Sequence, residues 1–463
     1  MSNEVNQNTA EGEQVFVENK MGVMPVKKLI LTMSLPMMIS MLVQALYNIV
    51  DSIFVARLSE DALTAVTLAF PMQNLMIAMG SGTGVGINAL LSRSLGKKDY
   101  EEASNAANTG IFLNFLNYVI FALLGLFAVR PFIHSQTDNP VIADYGITYL
   151  TWICILSVGV FFQMTFERLL QSTGMTFHSM ISQLTGAIIN MILDPMLIFG
   201  LGPFPKLGVA GAAIATIFGQ VTAACLGLYL NISRNKEITL SFKQIIRPVG
   251  KTVKQIYVVG IPSIAMMSIG SIMTYLLNKI LATFSSTAVA VFGVYFKLQS
   301  FFFMPIFGLN NGMIPVLSFN YGARKTDRIK EALRFSVVFA ISIMTFGTLV
   351  FEAVPVLLLR LFDASDNMIA IGTTALRIIA IHFPIAAICI SLGSVFQAFA
   401  KSTYSLVISL ARQLFALIPA AWLLSLAGDV NLVWFAFLVA EVMSLIMTSI
   451  FYRKIKREII DTL

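Results

Sequence analysis

LILTMSLPMMISMLVQALYNIVDSI, residues 29–53, holds one charged side chain, Asp51, near its end. A helix needs about 20 apolar residues to cross the hydrocarbon core of a bilayer, and this run is long enough. Similar runs recur near 62–90, 106–129, 142–166, 179–200, 208–231, 256–280, 287–316, 332–359, 370–396, 404–426 and 431–452, which makes twelve expected spans. The composition agrees: 57% of residues are hydrophobic and 12% charged. A soluble globular chain carries roughly 25% charged residues. The expected class is an all-α polytopic membrane protein.

Lys and Arg in the loops set orientation. With the amino terminus inside, the inner segments hold Lys27, Lys28, Arg93, Lys97, Lys98, the run from Arg234 to Lys254, Arg324 to Arg334, Lys401, and Arg453 to Arg457. The outer loops keep Arg57, Arg130, Lys206 and Arg360. Both termini are therefore expected in the cytoplasm. The net charge of +7 lies in topology-setting loops and implies no nucleic acid partner. Cys154, Cys225 and Cys389 fall in apolar runs, so no disulfide framework follows. The three histidines lack metal-ligand spacing. The polar first 20 residues have no basic n-region and read as a tail rather than a signal peptide.

The two halves repeat. A shift of 226 residues places Pro36 on Pro262, Gln73 on Gln299, Gly82 on Gly308, Gly86 on Gly312, Gly96 on Gly322 and Gln171 on Gln397. Six spans per half means that both halves enter from the same side. They are expected to form two pseudo-symmetric six-helix bundles, parallel repeats around a central cavity. The expected division is a disordered tail at 1–24, an N lobe at 25–231, a cytoplasmic linker at 232–255, a C lobe at 256–452 and a tail at 453–463.

Ionised acids at mid-membrane are costly and are functional candidates by default. In AIINMILDPMLIFG, 187–200, Asn190 and Asp194 stand four residues apart on one helix face. Pro195 lacks an N–H, which leaves the Met191 carbonyl without its helical partner. Amide, carboxylate and carbonyl oxygens suit a proton or Na⁺. The plainer alternative is a kinked helix whose Asp caps neighbouring backbone. Asp51 ends a polar stripe of Gln44, Tyr47 and Asn48, and the plainer alternative there is a water-exposed membrane boundary. At similar depth, Asp51 and Asp194 can share one cavity. Under the same shift Asp51 becomes Leu277, Asn190 becomes Ala416 and Asp194 becomes Ala420. Polar groups present in one half only favour a functional site over scaffolding.

The remaining charges read as structural. Glu167 and Arg168 are expected to form a local pair. Lys297, Arg412 and Glu441 are expected to form a C-lobe charge network, with Glu441 partnering one of the cations. GSGTGVG at 80–86 lacks the Lys-Ser/Thr of a phosphate loop and reads as close helix packing. With no Ser-His-Asp, zinc or Walker constellation, neither an enzyme nor an ATP-driven pump is expected, and no cofactor.

SLPMMISMLVQALYNIVDSIFVARL (34–58) and AVFGVYFKLQSFFFMPIFGLNNGMIPVLSFNYGARKTDR (290–328) resemble the patterns of the MATE (multidrug and toxic compound extrusion) transporters. LQSTG (170–174), NMILDP (190–195), GVAGAAIAT (208–216) and VW…AE (433–441) fit as well. The resemblance implies cation-coupled export of amphipathic, often cationic compounds across the cell membrane, with H⁺ or Na⁺ as the coupling ion. The placement of acids is similar to the DinF-like branch, which assigns coupling to positions matching Asp51, Asn190, Asp194 and Thr216, with a helix bend at Pro36. The C-lobe acids of the NorM-like branch have no counterpart in spans 7 and 8. One chain, functional as a monomer, is expected to form a complete cavity. The alternative is a lipid or lipid-linked oligosaccharide flippase using Lys297 and Arg412.

Overall fold

The computed structural model describes residues 18–362 and 364–463, and these are helical throughout, with no strand among them. The membrane helices are α1 (Val26–Leu58), α2 (Glu60–Gly96), α3 (Tyr100–Phe127), α4 (Pro140–Ile155 with Val158–Ser172), α5 (Thr176–Phe199) and α6 (Val209–Arg234). The second set is α7 (Gly250–Ala282), α8 (Ser286–Gly322), α9 (Thr326–Ala353), α10 (Asp366–Ala380 with Phe383–Ala398), α11 (Ser402–Ser425) and α12 (Phe435–Glu458). Helices α4 and α10 are broken spans, bent by 45° and 47°.

The duplication extends to details of backbone geometry. Ser59 caps α2 by accepting from Ala62 N at 3.0 Å, and Ser285 caps α8 by accepting from Ala288 N at 3.0 Å. Each hydroxyl satisfies one of the orphan amides of a helix start. The turn after α2 places Lys98 at φ 62°, and the turn after α8 places Arg324 at φ 56°. Past the middle of α11 the register slips, because Ala411–Leu417 forms a π-helical turn. The slip leaves the one-sidedness intact, since Ala416, Leu417, Ala420 and Ala421 are all apolar.

The two bundles meet where glycines let backbones touch. A Cβ at Gly86 would lie 2.2 Å from the Ile256 carbonyl oxygen, and one at Gly82 would lie 2.4 Å from Ile264 Cγ1. Gly308 and Gly312 do the same for α8 against Met38 and Ser34 of α1. The GSGTGVG run is therefore a packing surface, as the absent Lys-Ser/Thr implied. These contacts lie in the halves of α1, α2, α7 and α8 that end at the face carrying the 232–255 connection, here called the linker face. Gly96 and Gly322 seal that face against Phe319 and Arg93.

Residues 1–17 of the expected tail lie outside the described residues, and the expected disorder does not extend to 24. Lys20–Val23 is a helical turn that straps the linker face, with Met21 and Gly22 buried. Asn19 Nδ2 donates to the Thr173 carbonyl (3.2 Å) and to Glu237 (2.7 Å) on one side. On the other side, Arg328 Nη2 donates to the Met24 carbonyl (2.7 Å) and Lys325 Nζ to the Gly22 carbonyl (2.8 Å).

Burial pushes the Glu237 carboxyl up to about 7, and the Asn19 amide opposes the shift. A carboxyl raised in the fold favours the fold while protonated; that contribution is complete below the ordinary value of 4.5 and is lost as pH rises from there through about 7. Glu237→Gln keeps an acceptor for Asn19 and never ionises. It is expected to melt above the native protein at pH 8, by of the order of 1–2 kcal/mol of stability, and with it at pH 4. Thermal unfolding at the two pH values checks this, and identical offsets at both would contradict it.

Candidate functional site

Helix α5 runs unbroken through Pro195 and stops at Gly200, whose φ of 74° is a left-handed cap. The proline therefore does not split the helix, and Asn190 and Asp194 keep helical spacing on one face. Both are buried, Asp194 completely. Asn190 Nδ2 donates to Thr216 Oγ1 of α6 at 3.2 Å, and its longer contact to Asp194 Oδ1 is 3.5 Å. Small residues allow α6 to come this close: a Cβ at Gly219 would lie 2.6 Å from the Gly186 carbonyl oxygen.

Helix α1 supplies Asp51, half-buried, with its carboxyl within hydrogen-bonding reach of Asp194. The four residues read from the sequence, Asp51, Asn190, Asp194 and Thr216, thus converge from α1, α5 and α6. Asp51 Oδ1, Asp194 Oδ2 and Asn190 Oδ1 are sealed from solvent and receive no hydrogen bond. Three unsatisfied acceptor oxygens in one place demand a positive partner, because buried acceptors without donors are costly. Two carboxylates in contact cannot both remain charged without a proton or cation between them.

The polar stripe divides. Tyr47 stays beside both carboxylates, whereas Gln44 turns to Gln183, which donates to it at 3.0 Å. Asn48 is exposed. Sequence reasoning missed Tyr149, which is 3% exposed, adjoins both acids and receives a hydrogen bond from Gln73 at 3.1 Å. A lone Tyr in an apolar span gives no periodic signal. Gln73 did leave a trace, as a repeat position shared with Gln299. The latter serves a local pair in the other bundle, accepting from Tyr295 at 2.6 Å.

Helix α1 is also continuous through Pro36. The Thr32 carbonyl, deprived of its helical donor by that proline, accepts from Thr176 Oγ1 of α5 at 3.3 Å. The potential bend in α1 is thus tied to the helix that carries Asp194.

Two expectations for the other charges are corrected. Glu167 and Arg168 turn apart, because neighbours on a helix point about 100° from each other. Glu167 accepts from Gln163 at 2.9 Å, while Arg168 donates to Gln171 and, across the bundle interface, to Asn311, both at 3.0 Å. In the second bundle Arg412 pairs with buried Glu441 at 3.2 Å. Lys297 takes no part in that pair: it is exposed, with its Nζ 6.0 Å from the Phe362 ring centroid. His382 is buried beneath Phe437 and has no role at the carboxylate pair.

Twelve spans in two like-oriented bundles, with an acid pair confined to one of them, define a membrane transporter architecture. The sequence profile of the MatE family matches residues 36–196 and 262–423, and the chain belongs to that family of transporters. It is 28% identical to an FAD transporter of Shewanella oneidensis, covering 86% of this chain and 88% of that protein. It is 27% identical to the multidrug export protein MepA of Staphylococcus haemolyticus, covering 89% and 90%. A solved structure, described as the outward-facing conformation of a multidrug resistance MATE family transporter of the MOP superfamily, is 25% identical. It superposes with a TM-score of 0.89 over 96% of this chain and 98% of that one.

Proposed function

We propose that this protein is a cation-coupled antiporter that exports small organic solutes by alternating access, with Asp51, Asp194, Asn190 and Thr216 as the coupling site. The observation that carries this is the sealed contact between Asp51 and Asp194, which holds a positive ion or comes apart. The linker face is cytoplasmic in this reading, so the strapped, glycine-sealed state opens outward. Entry of H⁺ or Na⁺ joins the two acids and draws α1 toward α5, where Pro36 and Thr176 allow α1 to bend. The cleft narrows and the solute leaves. Reopening toward the cytoplasm releases the ion. The relatives' names support organic solutes as cargo and give the flippase reading no support.

The test is solute efflux from proteoliposomes under separately imposed proton and sodium gradients. One gradient is expected to accelerate efflux at least tenfold over the ungraded vesicle. No response to either would sink the reading.

A further inference from the structure

The 232–255 connection is fastened to α3 by hydrogen bonds. Asn108 Nδ2 donates to the Thr239 carbonyl at 2.9 Å and to Gln244 Oε1 at 2.8 Å. Ser241 N donates to Asn108 Oδ1 at 3.0 Å, and Thr239 N to Ser104 Oγ at 3.1 Å. Helix α3 carries no charged residue after Glu102. Counting back from its end at Phe127 the roughly 20 residues that cross a hydrocarbon core arrives at Asn108. The fastened segment therefore lies at the headgroup edge. Phe242–Ile246 forms a short helix there. At about 100° per residue, Phe242 and Ile246 point away from Gln244 and so away from α3. They are 76% and 56% exposed.

Helix α7 continues the patch. Lys251, Lys254, Val258 and Ile261 are exposed and share one helix face. Ile256, Gly260 and Ile264 lie on another face and pack against α2. In this half the two bundles are sealed together, so the exposed face of α7 meets the surroundings rather than the cleft. Two lysines thus stand at the linker end of a lipid-facing stripe. Lys243 and Arg247 are also exposed, and none of these four cations joins an ion pair among the described residues. Acids on the adjoining elements are engaged elsewhere or outnumbered. Asp99 caps α3, Glu102 accepts from Ser94 at 3.0 Å, and Glu237 is held by Asn19. Glu101 is exposed one turn from Ser104, with exposed Lys97 and Lys98 in the turn before it.

We propose that this patch docks on anionic phospholipid of the leaflet at the linker face. Phe242 and Ile246 enter the acyl boundary, and Lys243, Arg247, Lys251 and Lys254 hold headgroup phosphates. Apolar side chains flanked by unpaired cations beside a membrane helix combine hydrophobic insertion with attraction to negative lipid. The patch spans both bundles, since Asn108 belongs to the first and α7 to the second. It requires only that the chain crosses a membrane, and is independent of the coupling site.

The full chain carrying Phe242→Trp, at an exposed position, is placed in mixed nanodiscs with phosphatidylglycerol the minor lipid and phosphatidylcholine the major one. Paired samples hold equal amounts of brominated acyl chain, on phosphatidylglycerol in one and on phosphatidylcholine in the other. Emission beyond that of the native chain, which has Trp152, Trp422 and Trp434, reports the new site. Brominated phosphatidylglycerol is expected to quench it at least twofold more than brominated phosphatidylcholine. Lys243→Gln, Arg247→Gln, Lys251→Gln and Lys254→Gln together should erase that preference while some quenching by both lipids persists. Three results overturn the proposal: no quenching by either lipid, which leaves the side chain in water for a soluble partner; equal quenching by the two; or a preference that survives the four changes.

Discussion

Asp194→Asn is expected to reduce gradient-driven efflux to the level of empty vesicles, a loss of a hundredfold or more, while leaving the protein folded. The amide has the shape of the carboxyl but cannot give up a proton or neutralise a cation. Asp194 is fully buried, and its Oδ2 receives no hydrogen bond. No donor is therefore orphaned by the change, and the penalty of holding a charge away from water disappears. Asp51→Asn should behave alike, because either substitution leaves one carboxylate facing an amide. Efflux in proteoliposomes, read beside thermal unfolding of the same preparations, separates lost coupling from lost structure. Native rates in both variants would remove the acid pair from the mechanism.

The second large effect belongs to Gly86→Leu. The first added carbon would lie 2.2 Å from the Ile256 carbonyl oxygen, and backbone cannot be pushed aside as a side chain can. Helices α2 and α7 must part along the linker face, and overpacking of this kind costs about 1–3 kcal/mol or more. The cost falls only on the state in which that face is closed. Transport should drop at least tenfold, and Ser34→Cys, buried at 0% exposure in the native chain, should become reactive to a thiol reagent from the linker face. Exposed Cys225 is replaced by Ser in both backgrounds. Gly250→Ala is the control, since nothing lies within 4 Å of its added Cβ. Unchanged labelling of Ser34→Cys in the Gly86→Leu background would show that these glycines do not govern closure.

The spans and the repeat were legible because both are written in local pattern: apolar length, and a constant offset between polar and glycine positions. Asp51, Asn190 and Asp194 were legible because an intramembrane acid or amide is rare enough to stand out singly. Tyr149 was hidden because an interfacial or packing tyrosine has the same sequence signature as one beside a carboxylate. Glu167 and Arg168 misled for a related reason: adjacency in sequence suggested a pair, but helix geometry sends neighbours in different directions. Which faces of α2 and α7 oppose each other needed the bundle contacts, Gly82 against Gly260 and Ile264, Gly86 against Ile256 and Asn74 against Ser271.

The Arg412–Glu441 contact has an electrical consequence. Each elementary charge carried through the membrane potential gains or loses about 2.3 kcal/mol per 100 mV. An anion paired with its own guanidinium moves no net charge when its bundle rocks, so the potential does no work through that pair. In the proposed mechanism, the voltage sensitivity of transport then belongs to the charges of the first bundle, the acid pair and Arg168 among them, and to the charge of the passenger.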